Sequence, residues 1–219
     1  MIINKLTAIQ KEIQTKVSSL GFQYSNQKII AVSKTFPISH SLPLINHGHL
    51  HFGENKVQEA IEKWSNIKND HKNLKLHMIG KLQTNKVKHA LSIFDYLHSL
   101  DTLKLAKKIS FEQKIIAKKI KCFIQVNIGN EDQKNGISPK DTSEFYNTCV
   151  NDLDINIIGL MCLPPKSVNS NLYFSQMNIL NKQIGLHELS MGMSNDYIEA
   201  LAHGATFLRI GSKIFGQRN

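Results

Sequence analysis

Lys34 is the side chain in this sequence best placed for covalent chemistry. It follows an apolar run, Ile29-Ile-Ala-Val32, and is itself followed by Thr35. A lysine at the mouth of such a strand can simply carry its charge out to solvent along its apolar stem. It can also be a Schiff-base lysine. Its amine, with an ordinary pKa of about 10.4, must then lose a proton to attack an aldehyde. Partial burial and nearby positive charge both favour that neutral form. Position alone leaves both readings open. Gly211-Ser212 and Ser190-Met-Gly-Met-Ser194 are glycine/serine turns that could cradle a phosphate, since glycine admits close approach to backbone N–H groups and serine adds a donor. They could equally be ordinary turns, with Ser194 as the N-cap of a helix over Asn195–His203. Arg209 falls within an apolar stretch, so it needs a partner: a ligand, or an internal carboxylate such as Glu54.

These residues have to be positioned by repeated strand–helix units. Ile2, Leu6, Ile9, Ile13, Val17 and Leu20 recur at steps of three and four, which predicts an amphipathic opening helix with Gly21 at its C-terminal end. Eight apolar runs follow: Ile29–Ser33, Leu50–Gly53, Leu76–Gly80, Tyr96–Ser99, Cys122–Asn127, Ile157–Met161, Leu186–Ser190 and Phe207–Ile210. Helical periodicity fills the intervals, as in Val57, Ala60, Ile61 and Trp64, or Tyr197, Ile198, Leu201 and Ala202. Each return to a parallel strand needs a crossover, so the alternation implies a parallel sheet. Eight repeats within 219 residues suit one closed (β/α)8 TIM-type barrel domain over 1–219 better than an open doubly wound sheet. No G-x-G-x-x-G follows any of the runs, which argues against a dinucleotide fold. Barrels of this type place functional groups at the C-terminal ends of their strands. That rule adds Asn55, His77, Gly80-Lys81 and His98-Ser99 to the residues of interest.

Composition narrows the class. A hydrophobic fraction of 41% suffices for a sizeable core. No window approaches the roughly 18 apolar residues of a membrane span, and no secretory signal opens the chain, so a cytoplasmic protein is expected. Cys122, Cys149 and Cys162 are odd in number and widely spaced, which suits neither a disulfide framework nor a zinc site. A net charge of +10 raises nucleic-acid binding. The lysines are spread along the chain, however, and the densest group, Lys114 with Lys118, Lys119 and Lys121, lacks interleaved aromatics. Neither nucleic acid, membrane nor metal is therefore expected as a partner.

Taken in order, these segments resemble the pyridoxal phosphate homeostasis protein (YggS/PROSC) family, related to the N-terminal barrel of alanine racemase. The matching stretches are Ala31-Val-Ser-Lys-Thr35, His51-Phe-Gly-Glu-Asn55 with Val57-Gln-Glu59, and Ile79-Gly-Lys-Leu-Gln-Thr-Asn-Lys-Val-Lys88. They continue through Gln125-Val-Asn-Ile-Gly129, Lys134-Asn-Gly136, Gly159-Leu-Met161, Leu189-Ser-Met-Gly-Met-Ser194 and Arg209-Ile-Gly-Ser-Lys-Ile-Phe-Gly216. The resemblance implies the barrel of fold-type-III pyridoxal 5′-phosphate (PLP) proteins, preceded by an N-terminal helix. It also implies PLP as cofactor, attached as a Schiff base to Lys34. Arg209 would face the pyridine nitrogen, and Ser190, Gly211 and Ser212, with the Met191 backbone, would hold the phosphate. Asn55 and His77 would line the pocket. Departures from the family pattern fall at Leu76 and Met78, at Lys81, at Ser212 in place of a frequent threonine, and in a short Lys166–Gln183 segment.

The resemblance further implies a carrier rather than a catalyst. An arginine at the ring nitrogen donates a hydrogen bond without protonating it, which weakens the ring as an electron sink. Alanine racemase also uses a tyrosine base from an additional domain, and this chain ends at Asn219 without room for one. The expectation is a monomeric, non-catalytic PLP buffer, engaging apo-PLP enzymes transiently. The alternatives are an amino-acid racemase or lyase of low activity, a PLP-free Schiff-base aldolase or sugar-phosphate enzyme, and a charge-driven nucleic-acid binder. Lys81, Lys86 and Lys88 could form a second phosphate site or a solvated helix face.

Overall fold

A computed structural model describes residues 1–21, 27–131, 133–165 and 169–217. The expected strands are all present: β1 (Lys28–Val32), β2 (His51–Glu54), β3 (Lys75–Met78), β4 (Tyr96–Leu100), β5 (Lys121–Val126), β6 (Asn156–Cys162), β7 (Glu188–Met193) and β8 (Phe207–Ile210). They pair in chain order, all parallel, and β8 closes on β1. The helices are α1 (Ile2–Ser19), α2 (Ile38–Asn46), α3 (Val57–Asp70), α4 (Val87–Ile93), α5 (Leu103–Ile116), α6 (Thr142–Asn147), α7 (Ser170–Ile184), α8 (Tyr197–Ala202) and α9 (Ser212–Phe215). Lys166, which opens the short segment noted above, and Asn219 lie outside the described residues.

Two apolar cores explain the unbroken hydrophobic runs, because a strand sandwiched between barrel interior and helices is buried on both faces. The outer core lies between sheet and helices and includes Ala31, Phe52, Trp64, Leu97, Leu160, Met191 and Leu208. The inner one fills the barrel with Ile30, Val32, Tyr96, Phe123, Met161 and Phe207. Alternation along each strand decides which side chains point inward. In β8 it sends Phe207 and Arg209 into the barrel, and Leu208 and Ile210 toward the helices.

The opening helix buries Leu6, Ile9, Ile13 and Val17 as a single stripe and packs on α2, α8 and α9. Its C-cap is Leu20, and Gly21 follows at φ 73°, the left-handed position at which glycine commonly ends a helix. Among the described residues no helix is long and apolar enough to cross a membrane, and no cluster of His, Cys, Asp or Glu could hold a metal.

Candidate functional site

Lys34 stands half-buried in a tight turn just past β1. The Phe36 N–H bonds back to the Ser33 carbonyl at 3.1 Å, and Thr35 is held at φ 69°. A left-handed, β-branched residue costs on the order of 1–2 kcal/mol, so the surroundings must enforce it. They do so through Glu54, which is 1% exposed. Its Oε1 accepts from Ser33 Oγ at 2.7 Å, Lys63 Nζ at 2.7 Å and Trp64 Nε1 at 3.0 Å. Lys63 Nζ also donates to the Ser33 carbonyl at 2.7 Å. Stacking of Phe36 on Phe215 closes the other side of the turn. Glu54 therefore belongs to the clamp beneath Lys34 and is not the partner of Arg209, because it faces α3 and not the barrel interior.

Arg209 is 5% exposed. Its Nη1 donates to Ser190 Oγ at 2.6 Å and its Nη2 to the Cys162 carbonyl at 2.8 Å. Burial lowers its pKa from the ordinary value, opposed by Cys162 and Asp196. Ser190 is fully buried inside the barrel, its hydroxyl held between Arg209 and His98.

Ser194 Oγ accepts the Gly211 N–H at 3.3 Å and the Lys213 N–H at 3.4 Å, joining the turns after β7 and β8. It is not the N-cap of the following helix. That helix begins only at Tyr197, after Asp196, whose carboxylate accepts the Met193 N–H at 2.6 Å. Gly192 is required where it stands: φ is 87°, and a Cβ would lie 2.7 Å from that of Ala200. Gly211 differs, with φ −115° and an added Cβ meeting Val32 only at 3.4 Å. Neither backbone nor packing demands a glycine there. Ser212 is exposed beside it, whereas the Met191 side chain is buried toward the helices and only its backbone could face a ligand.

Asn55 is fixed from the neighbouring strand. Gly80 packs so closely that a Cβ would lie 2.3 Å from the Asn55 carbonyl oxygen, and the Gly80 carbonyl accepts from Ser99 Oγ at 2.6 Å. Asn55 Oδ1 is buried without a hydrogen-bond partner among the described residues. His77 lies deep in the barrel. It is fully buried within the barrel, its Nδ1 2.9 Å from His98 Nε2 and its Nε2 2.9 Å from His51 Nδ1. Lys81 is exposed and donates to Asn135 Oδ1 at 2.8 Å, Lys86 is half-buried, and Lys88 is exposed on α4.

The residues that sequence reasoning left without a role are His98 and the carbonyl of Cys162. A signal for His98 was present: Tyr96 and His98 alternate on one face of β4, as Phe207 and Arg209 do on β8. The closed barrel, with a half-buried lysine after β1, an inward arginine on β8 and two linked turns after β7 and β8, is of the alanine racemase N-terminal type. The family model "Alanine racemase, N-terminal domain" matches residues 5–219. Over 231 residues the chain is 34% identical to the pyridoxal phosphate homeostasis protein of Haemophilus influenzae, covering 100% of this chain and 96% of that one. It is 36% identical to the protein of the same name from Helicobacter pylori, covering 92% and 94%. Among solved structures, PipY of Synechococcus elongatus with PLP bound superposes at TM-score 0.81 and 31% identity, covering 93% of this chain and 100% of that one. An alanine racemase of Clostridium difficile shares the fold at TM-score 0.70 and 14% identity, covering 95% of this chain and 56% of that one. The chain belongs to the pyridoxal phosphate homeostasis protein family.

Proposed function

We propose that this protein binds PLP reversibly and buffers it in the cytoplasm, without turning over a substrate of its own. The carrying observation is the pairing of Ser194 Oγ with the Gly211 and Lys213 N–H groups, which joins the turn after β7 to the turn that follows the inward Arg209 on β8. These residues fit the cofactor. Ser194, Gly211, Ser212 and the Met191 backbone would hold its phosphate, Arg209 its ring nitrogen, and Asn55 Oδ1 is a buried acceptor with capacity to spare. Lys34 would hold its aldehyde carbon. When bound, PLP supplies an aldehyde for an amine and a ring that withdraws electrons.

The chain's own residues favour holding over reacting. Arg209 keeps its protons and can only donate, so it orients a ring nitrogen without protonating it. The Glu54 clamp fixes the turn that presents Lys34. The three cysteines are buried, and burial pushes the Cys149 and Cys162 thiols up to about 12, which leaves them without a reactive thiolate to attack a bound aldehyde. In this reading the protein acts as a monomer and meets apo-PLP enzymes transiently. Titration with PLP, followed by visible absorbance, tests it. Uptake by the native protein and its loss in Lys34→Ala are expected, together with no product from added amino acids. Sustained racemisation or elimination that depends on Lys34 would replace the carrier with an enzyme.

A further inference from the structure

A line of polar side chains crosses the barrel interior. It begins at His51, the first residue of β2, and passes through His77 on β3, His98 on β4 and Ser190 on β7 to Arg209 on β8. The successive contacts are 2.9, 2.9, 2.8 and 2.6 Å. It therefore runs from the N-terminal rim of the barrel to the arginine beneath the candidate site. At the rim, His51 lines a recess of about 280 Å³ together with Leu6, Gln10 and His49.

Hydrogen-bond accounting gives the line a direction. A guanidinium has donors and no acceptor, so Ser190 Oγ must accept from Arg209. The hydroxyl has one proton of its own, and its acceptor among the described residues is His98 Nδ1. His98 and His77 are fully buried, and their pKa values are lowered well below the usual imidazole range, first by burial. Each ring is therefore neutral, with one N–H and one bare nitrogen. With Nδ1 of His98 accepting, its Nε2 carries the proton and donates to His77 Nδ1. The same step repeats from His77 Nε2 to His51 Nδ1. The planes are fixed as well: His77 stacks on Tyr96 at 4.3 Å and His98 on Phe123 at 4.4 Å between centroids.

We propose that His51, His77 and His98 form a one-directional hydrogen-bond chain that fixes the Ser190 proton and so positions Arg209 for its ligand. His77 and His98 are positioning residues, acting through Ser190. With the hydroxyl proton committed to His98, a lone pair of Oγ always faces Nη1. The guanidinium is then anchored between Ser190 and Cys162, and its other N–H groups remain for the ligand. The effect on PLP rests on the function proposed above, whereas the direction of the chain does not.

The experiment has two arms. First, long-range ¹H–¹⁵N correlation spectra of histidine-labelled, ligand-free protein at pH 7.5 report each tautomer. His51, His77 and His98 are expected as neutral Nε2–H rings. An Nδ1–H ring at any of them, or a cationic one, would overturn the chain. Second, PLP is titrated into native protein, Ser190→Ala and Ser190→Thr. The alanine variant is expected to average the His98 tautomers, shift the absorbance maximum of bound PLP, and raise its half-saturation concentration at least tenfold. Threonine, which keeps the hydroxyl, restores all three. An alanine variant matching native protein in spectrum and affinity would show that the chain does not position Arg209. Native protein that takes up no PLP would fail the function reading, and the tautomers would still decide the direction of the chain.

Discussion

Ser194 Oγ accepts the backbone N–H of Gly211 at 3.3 Å, joining the turn after β7 to the turn after β8. The same oxygen accepts the Lys213 N–H, so one hydroxyl gathers two donors at the mouth of the barrel. In the proposed site this hydroxyl orders the two turns that would hold the phosphate. Ser194→Ala is expected to weaken PLP binding about 10- to 100-fold, the range for one hydrogen bond to a charged group. Dephosphorylated pyridoxal should bind native and variant protein alike. Equal weakening for both ligands, measured by absorbance titration, would contradict the assignment.

Glu54 holds the Lys34 turn from below, accepting from Ser33, Lys63 and Trp64 while almost wholly buried. Glu54→Gln keeps the shape and removes the charge opposite Lys63, which is itself mostly buried. Breaking a buried pair from one side costs about 3–5 kcal/mol. A fall in Tm of roughly 6–20 °C is expected for a chain of this length, with PLP uptake at Lys34 reduced even well below the new Tm. An unchanged Tm would remove Glu54 from the clamp.

Gly80 gives a steric prediction. An added Cβ would lie 2.3 Å from the Asn55 carbonyl oxygen, a contact with backbone that a rotamer change cannot relieve. Gly80→Ala should therefore displace the segment carrying Asn55 and lower PLP affinity. Overpacking of this kind costs typically about 1–3 kcal/mol, visible in urea denaturation. Stability and affinity equal to those of the native protein would show that the strand ends separate freely.

How much of this was legible in the sequence depends on whether one strand or several were needed. The eight strands could be read because a strand buried on both faces is an unbroken apolar run, and Ile29–Val32 and Phe207–Ile210 lie within a residue of where the runs place them. Lys34 and Arg209 stood out as charged residues at or within such runs. The different contacts of Ser190 and Ser194 were not legible. The two serines sit on one glycine/serine turn, and only the closed barrel shows that Ser190 points inward to Arg209 while Ser194 meets the Gly211 turn. The partner of Glu54 was hidden for the same reason. A carboxylate after a strand can face the barrel or the helices, and Trp64 and Lys63 decide for the helices.

The buried histidines make stability depend on pH. Burial holds His49 and His51 down to about 4, with opposing pulls from backbone carbonyls at His49 and from Asp95 at His51. Lys28 and Lys75 add to the lowering at His51. His77 is lowered by burial, then by His98, His51, His49 and Lys68; His98 is lowered by burial, then by Arg209 and His51. In the unfolded chain these rings titrate near about 6.5. Below that pH the unfolded state takes up protons that the barrel refuses. Stability is thus fully present above about pH 6.5 and falls as the pH drops toward 4, by up to about 1.4 kcal/mol per pH unit for each ring. Asp101, whose carboxyl is raised by burial, works in the opposite direction as a single group. Urea denaturation at pH 7.5, 6 and 5 should show a steep decline, and equal stability at the three values would mean that the rings are accessible to protons.

The central claim is that Lys34 holds the cofactor. Reduction of the PLP-loaded protein with borohydride, followed by peptide mapping, tests it most directly. A pyridoxyl group confined to the peptide bearing Lys34 is the predicted result. Label scattered over exposed lysines such as Lys81 and Lys88, or no label at all, would contradict it.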